Sequence, residues 1–125
     1  MPVLVPDSIS LPAPEGDWLI ACFCAQWCDT CTQYRDRFEA LAGRRSDAVF
    51  AWIDIEDHPD YLGEEDVENF PTLLLQHRGG TVFFGPMLPH IEHLERLMDA
   101  LGVDSPTVAV RVPDVLHMLR HAHTA

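Results

Sequence analysis

The chain has 125 residues, 47% apolar and 22% charged, which suits one globular domain able to bury its own core. A formal charge of −12, with eight Arg and no Lys, argues against binding to a nucleic-acid backbone. No apolar run nears the roughly 20 residues of a membrane-spanning helix, so no membrane association is expected. The first residues, Met1 to Asp7, lack the positive charge and the apolar stretch of a secretory signal, and a cytoplasmic location is the expectation. The absence of Lys beside a single Asn, Asn69, points to a GC-rich coding genome and has no bearing on function.

The first seventeen residues hold four of the ten prolines, which predicts a short edge strand around Val3 to Val5 followed by a Pro-rich loop. Trp18 to Cys24 is a nearly continuous apolar run, the form of a strand buried on both faces. Tyr34, Phe38, Leu41 and Ala42 form an apolar stripe that predicts a helix from Asp29, stopping near Gly43. Ala48 to Ile55 reads as a second buried strand, and the acidic segment from Asp60 to Glu68 as a short helix. Strand, helix, strand is a parallel crossover unit, right-handed by default. Pro71 opens a third strand, Thr72 to Gln76, which turns at Gly79-Gly80 into Thr81 to Phe84 as a hairpin ended by Gly85-Pro86. Ile91, Leu94, Leu97, Met98 and Leu101 recur at helical spacing up to Gly102. The fold class is therefore α/β, a central mixed sheet flanked by helices. Residues 1–102 form the main domain, and residues 103–125 form a C-terminal extension packed on it or on a partner. That extension alternates Val108, Val110 and Val112, then continues into a short helix after Pro113.

The four cysteines, Cys22, Cys24, Cys28 and Cys31, crowd into ten consecutive residues. A disulfide framework for a small secreted fold would spread its cysteines to close long loops, so this clustering points to redox chemistry or metal. Cys28 and Cys31 stand at the start of the first helix, where exposed N–H groups and the helix dipole favour a thiolate. Cys28, nearer the helix end, is the expected nucleophile, and Cys31 the thiol that resolves the mixed disulfide. The same spacing also makes half of a zinc knuckle. Cys22 and Cys24 would have to complete it, yet they lie in an apolar strand that suits core filling, and no metal is expected.

Several separated segments resemble the thioredoxin family over roughly Trp18 to Leu101. Ala25-Gln26-Trp27-Cys28-Asp29-Thr30-Cys31 is similar to the family's Ala-x-Trp-Cys-x-x-Cys, and Asn69-Phe70-Pro71-Thr72-Leu73-Leu74-Leu75 to its cis-proline segment. Ile53-Asp54-Ile55-Glu56 to Pro59 resembles its acidic stretch after the third strand. The resemblance implies a thioredoxin fold and a thiol-disulfide oxidoreductase whose redox-active disulfide, Cys28–Cys31, takes the place of any cofactor. It implies that Pro71 is a cis-proline facing that pair. The backbone of Phe70 would bind an extended substrate segment, and Trp27 and the turn at Gly85 would wall the groove. Protein disulfides would be the substrates, a thioredoxin-reductase-like protein the electron donor, and a monomer the expected state.

Departures from the family pattern bear on proton handling. The family's buried Asp beneath the dithiol aligns with Cys22, and its Lys partner with Trp52, so no carboxylate is present there to act as base for Cys31. Cys31 should therefore attack more slowly near neutral pH than in a typical thioredoxin. Between the cysteines, Asp29 and Thr30 replace Gly-Pro. Asp29 suits the helix dipole but opposes a thiolate beside it, and Thr30 removes a rigid proline. Cys24 replaces a family aromatic. Core filling is its plainer role and a third redox thiol the other, while a Cys22–Cys24 bridge is disfavoured because adjacent same-face strand positions stand near the outer limit of disulfide geometry. His90, His93, His117, His121 and His123 read as surface and tail residues, and the acidic group around Glu56 to Glu68 as a solvated face. A binding module or assembly chaperone with little turnover is the competing function.

Overall fold

The computed structural model describes residues 18–25, 27–45, 48–67, 69–77, 80–102 and 105–124, with side chains described up to residue 119. The edge strand expected at Val3 to Val5, Gly79 of the hairpin turn, and the side chains of His121 and His123 lie outside the described residues. Strand β1 (Trp18–Cys24) leads through helix α1 (Asp29–Arg44) to β2 (Val49–Asp54). A single 3-10 turn (Pro59–Tyr61) precedes the β3 (Thr72–His77) and β4 (Gly80–Pro86) hairpin, and helices α2 (Ile91–Ala100) and α3 (Val115–Thr124) follow. The sheet order is β2-β1-β3-β4, with β1 parallel to β2 and antiparallel to β3, and β3 antiparallel to β4. This is the mixed four-stranded sheet of a thioredoxin fold.

The apolar run of β1 is continuous because both of its faces are covered. Ile20, Cys22 and Cys24 point to one side, where Tyr34, Phe38 and Leu41 of α1 and Leu94 of α2 complete a core. Leu19, Ala21 and Phe23 point to the other, against Ile53, Leu74 and the α3 residues Val115, Leu116 and Leu119. Helix α3 thus covers a sheet face with Val115, Leu116 and Leu119. Each buried aliphatic side chain of α3 stabilises by about 1.5–3 kcal/mol, enough for three of them to hold a short helix in place.

A buried amide fixes the start of α3. Gln76, 1% exposed in the middle of the sheet, donates to Pro113 O at 2.8 Å and to Thr81 Oγ1 at 3.1 Å, and accepts from Val115 N at 3.0 Å. Asp114 supplies the N-cap, its Oδ1 accepting from His117 N at 3.1 Å.

One sequence expectation is corrected. Among the described residues the acidic segment forms no helix beyond the 3-10 turn, because Gly63 adopts φ +67° where any Cβ would fall 2.7 Å from Arg111 O, and Glu65 Oε2 accepts from Arg111 N at 2.7 Å. Contacts with the later chain outweigh helix formation by a run of like charges. The Val108 alternation makes no strand among the described residues. Val108 N donates to Thr81 O at 2.8 Å, but its side chain is exposed. Smaller differences are the continuation of α1 through Gly43 to Arg44 and of β4 through Gly85 to Pro86.

Candidate thiol site

The cysteines meet where the C-terminal end of β1 abuts the first turn of α1. Cys28 is the N-cap of α1, with extended backbone at φ −86° and ψ 115°, and its carbonyl accepts from Thr32 N at 3.2 Å. Its thiol is free and half-buried. Among the described residues its side chain makes no capping bond, so the N–H groups of the first turn remain available to an anion at that end. Asp29 and Thr30 follow at the first two helical positions, Asp29 exposed.

Cys31 points inward, 2% exposed, and is bonded to Cys24 across a Cα separation of 5.9 Å. The bond expected between Cys28 and Cys31 is therefore not the one this structure holds. The reason is geometric. The last residue of β1 and the third residue of α1 face the same core, and their Cα separation lies inside the disulfide range, while half-buried Cys28 at the N-cap packs against that core with its thiol free. Cys24, for which core filling is the plainer expectation from sequence, is a bonded partner. Cys22 lies on the same strand face, fully buried and free, with its Sγ 3.5 Å from Cys24 Sγ. Since Cys24 carries no hydrogen when bonded, Cys22 S–H is the donor of that contact. No Cys22–Cys24 bond forms.

Beneath the cysteines the setting is apolar. Cys22 pairs with Trp52 across the parallel β1–β2 ladder, and Trp52 packs edge-on to Phe38 at 5.7 Å with the Arg35 guanidinium 5.4 Å above its ring. Burial pushes the Cys22 thiol well above its ordinary value of 9.0, so it stays protonated. Tyr34, one turn beyond Cys31, has a buried hydroxyl with no hydrogen-bond partner among the described residues. Its burial, and secondarily the charge of a Cys22 thiolate, raise its pKa. Among the described residues no Asp or Glu is buried in this layer of the core.

The Phe70–Pro71 peptide is cis. Phe23 pairs with Thr72, which brings Pro71 level with Cys24 at one end of the sheet. Phe70 meets Trp27 edge-on at 5.6 Å, and Trp27 is 66% exposed. Its indole N–H donates to Glu56 Oε1, while Glu56 N donates to Asp54 Oδ1 at 2.8 Å. Glu56 thus holds Trp27 in place, a role that its membership of an acidic cluster 29 positions away did not signal. Gly85 pairs with Leu73 in the β3–β4 hairpin, two residues on from cis-Pro71. It lines a groove of about 270 Å³ with Asp66, Asn69, Thr72 and Pro86, whose lining includes neither Trp27 nor Cys28. Among the described residues no three His, Cys, Asp or Glu side chains are grouped to hold a metal ion, and no helix is long and apolar enough to cross a membrane.

A parallel strand-helix-strand unit, joined to an antiparallel hairpin by a cis X-Pro bond and bearing cysteines at its helix N-terminus, defines a class of α/β protein with a thiol site at the sheet end. Comparison with known proteins is specific. The thioredoxin family model matches residues 10–86, and the chain belongs to the thioredoxin family. It is 25% identical to putative thioredoxin 2 of Streptomyces coelicolor over 66% of this chain and 62% of that protein. It is 31% identical to mouse thioredoxin over 56% of this chain and 68% of that protein. The match to thioredoxin H2 of Arabidopsis thaliana spans 46% of that protein, so the chain covers 46% to 68% of the length of these relatives. Among solved structures, oxidised mitochondrial thioredoxin 3 of Saccharomyces cerevisiae superposes with a TM-score of 0.62 at 25% identity, covering 70% of this chain and 81% of that one. A mutant thioredoxin from Halobacterium salinarum gives 0.60 at 28% identity, covering 75% of this chain and 80% of that one.

Proposed function

We propose that the protein is a thiol-disulfide oxidoreductase that exchanges disulfides with protein substrates, with Cys28 as the attacking thiol. The observation that carries this is a free, half-buried thiol at a helix N-terminus, directly above a buried disulfide that involves the helix's own inward cysteine. In the reduced protein, Cys28 as thiolate attacks a substrate disulfide. The open N–H groups of the first turn face the sulfur's end of the helix and can receive hydrogen-bond acceptors there. An extended substrate segment hydrogen-bonds to the backbone of Phe70 beside cis-Pro71, with Trp27 as the exposed apolar wall. Cys31 then attacks Cys28 Sγ and releases the reduced substrate.

With Cys22 and Trp52 beneath the site, the proton of Cys31 leaves to water or to the departing substrate thiolate. Asp29 and Thr30 tune the potential. The proposal extends to a cytoplasmic role in redox homeostasis, with electrons resupplied by a thioredoxin-reductase-like protein. Membership of the thioredoxin family and the helix-end placement of Cys28 support it. Insulin reduction driven by dithiothreitol tests it. Turnover by the wild type that disappears in Cys28→Ser is expected. Absence of turnover in the wild type, with partner capture unaffected by Cys28→Ser, would overturn it in favour of a binding module.

A further inference from the structure

Cys31 has two sulfurs to choose from. In this structure it is bonded to Cys24, with Cys24 1% and Cys31 2% exposed, while half-buried Cys28 carries a free thiol. An external protein disulfide or reductase thiol meets Cys28 first and has no direct line to the bond behind it. Resting on the oxidoreductase reading above, we propose that Cys24 is a third redox-active thiol, which takes Cys31 over from Cys28 after each turnover and holds the oxidised protein as a buried Cys24–Cys31 disulfide with Cys28 free.

Cys28 thiolate attacks the substrate disulfide, which is the oxidant; the Cys28–substrate bond forms as the first substrate sulfur leaves, and Cys31 then attacks Cys28 Sγ and displaces the second, making Cys28–Cys31. Cys24 thiolate then attacks Cys31 Sγ. The Cys24–Cys31 bond forms, the Cys28–Cys31 bond breaks, the electron pair goes to Cys28 Sγ, and the proton lost by Cys24 is recovered there. This second step is an isomerisation, with one disulfide before and one after and no electrons exchanged with solvent. Reduction runs the path backwards. Cys28 thiolate attacks Cys31 Sγ, Cys24 leaves, and the re-formed Cys28–Cys31 bond is exposed to the electron donor.

Cys22 makes the buried leaving group feasible. A thiolate appearing on Cys24 inside an apolar core would be strongly disfavoured without a donor. The Cys22 S–H, already 3.5 Å from Cys24 Sγ, supplies one. The unpaired Tyr34 hydroxyl lies in the same core cluster as all three sulfurs. Among the described residues no buried carboxylate lies beneath the pair, so none deprotonates Cys31 and none repels a thiolate formed in a sulfur relay.

The test uses the whole chain. The wild type is reduced, oxidised with one equivalent of a small disulfide, quenched in acid, and its free thiols are capped with N-ethylmaleimide in denaturant. After reduction, the formerly bonded cysteines are capped with iodoacetamide, and tandem mass spectrometry reads each label. The expected result is carbamidomethyl on Cys24 and Cys31 with maleimide on Cys22 and Cys28, preceded at the shortest times by carbamidomethyl on Cys28 and Cys31. Reduction of the Cys24–Cys31 bond by dithiothreitol should slow at least about tenfold in Cys28→Ser, since the relay through Cys28 is lost. Bonded Cys28 and Cys31 with free Cys24 at all times, in a protein that turns over insulin, would overturn the inference and leave the oxidoreductase reading standing. Absence of insulin turnover in the wild type would overturn that reading, and this inference with it. Should Cys28→Ser fold poorly, the wild-type label pattern alone decides.

Discussion

Replacing Gln76 by Leu should detach the C-terminal helix from the sheet. The side chains have similar reach, so the change is mainly one of hydrogen bonding. Gln76 pairs with Pro113 O, Thr81 Oγ1 and Val115 N at 2.8–3.1 Å. In the variant the Thr81 hydroxyl is free to rotate, but Pro113 C=O and Val115 N–H keep their positions and lose their partner. A buried polar group left unpaired costs about 1–3 kcal/mol, so these two together cost about 2–6 kcal/mol. The added apolar burial of Leu offsets about 1 kcal/mol, and the partial exposure of Pro113 favours the lower half of the range. A net loss of about 1–3 kcal/mol is expected. Urea unfolding followed by far-UV circular dichroism measures it. Amide hydrogen exchange should show α3 losing protection before β1 does. Gln76→Glu adds a sign. A buried carboxyl has its folded pKa raised above its unfolded value near ~4.3, so its stability is fully present below that pH and is lost as pH rises. Stability of Gln76→Leu within ~0.5 kcal/mol of wild type, where neutral surface changes fall, with protection of α3 unchanged, would refute the reasoning.

Four further outcomes follow from named contacts. Cys22 and Tyr34 have folded pKa values raised above their ordinary 9.0 and 10.0, so their contribution is complete below pH 9 and is lost on the alkaline side. Unfolding free energy should fall above that pH by up to about 1.4 kcal/mol per pH unit for each group, and a Cys22→Ala, Tyr34→Phe double variant should flatten the slope. An equal slope in the two proteins would contradict this. Glu56→Ala removes the acceptor of the Trp27 indole, and the KM for a protein disulfide should rise while the unfolding midpoint moves little; unchanged KM would remove the positioning role. Cys22→Asp places a carboxylate beneath the site, and stopped-flow kinetics should show faster resolution by Cys31; no gain means that proton transfer there is not limiting. Leu119→Ala, at a fully buried position of α3, should cost about 2–4 kcal/mol in urea unfolding, and a loss below ~1 kcal/mol would mean that α3 packs loosely.

Much of the fold is legible from local pattern. An apolar run buried on both faces, a stripe at helical spacing and Pro71 before an aliphatic strand are properties of neighbouring residues, and β1, α1, β2, β3, β4 and α2 follow from them with end shifts of a few positions. The helix-end placement of Cys28 and Cys31 is equally local. The acidic segment is not legible in this way, because its conformation depends on Arg111, far along the chain, and on a glycine at positive φ. Likewise the anchoring of Trp27 by Glu56 and of α3 by Gln76 joins residues 29 and 39 positions apart, and no spacing rule couples such pairs.

The cysteines divide along the same line. By itself the sequence determined that the sulfurs cluster, that Cys28 and Cys31 begin a helix, and that Cys22 and Cys24 share a strand face, because periodicity sets direction within one element. Which sulfur bonds to Cys31 was decided only by the tertiary structure. The end of β1 and the first turn of α1 bring Cys24 and Cys31 to a Cα separation of 5.9 Å and leave half-buried Cys28 with a free thiol, and disulfide choice depends on distance and direction across elements.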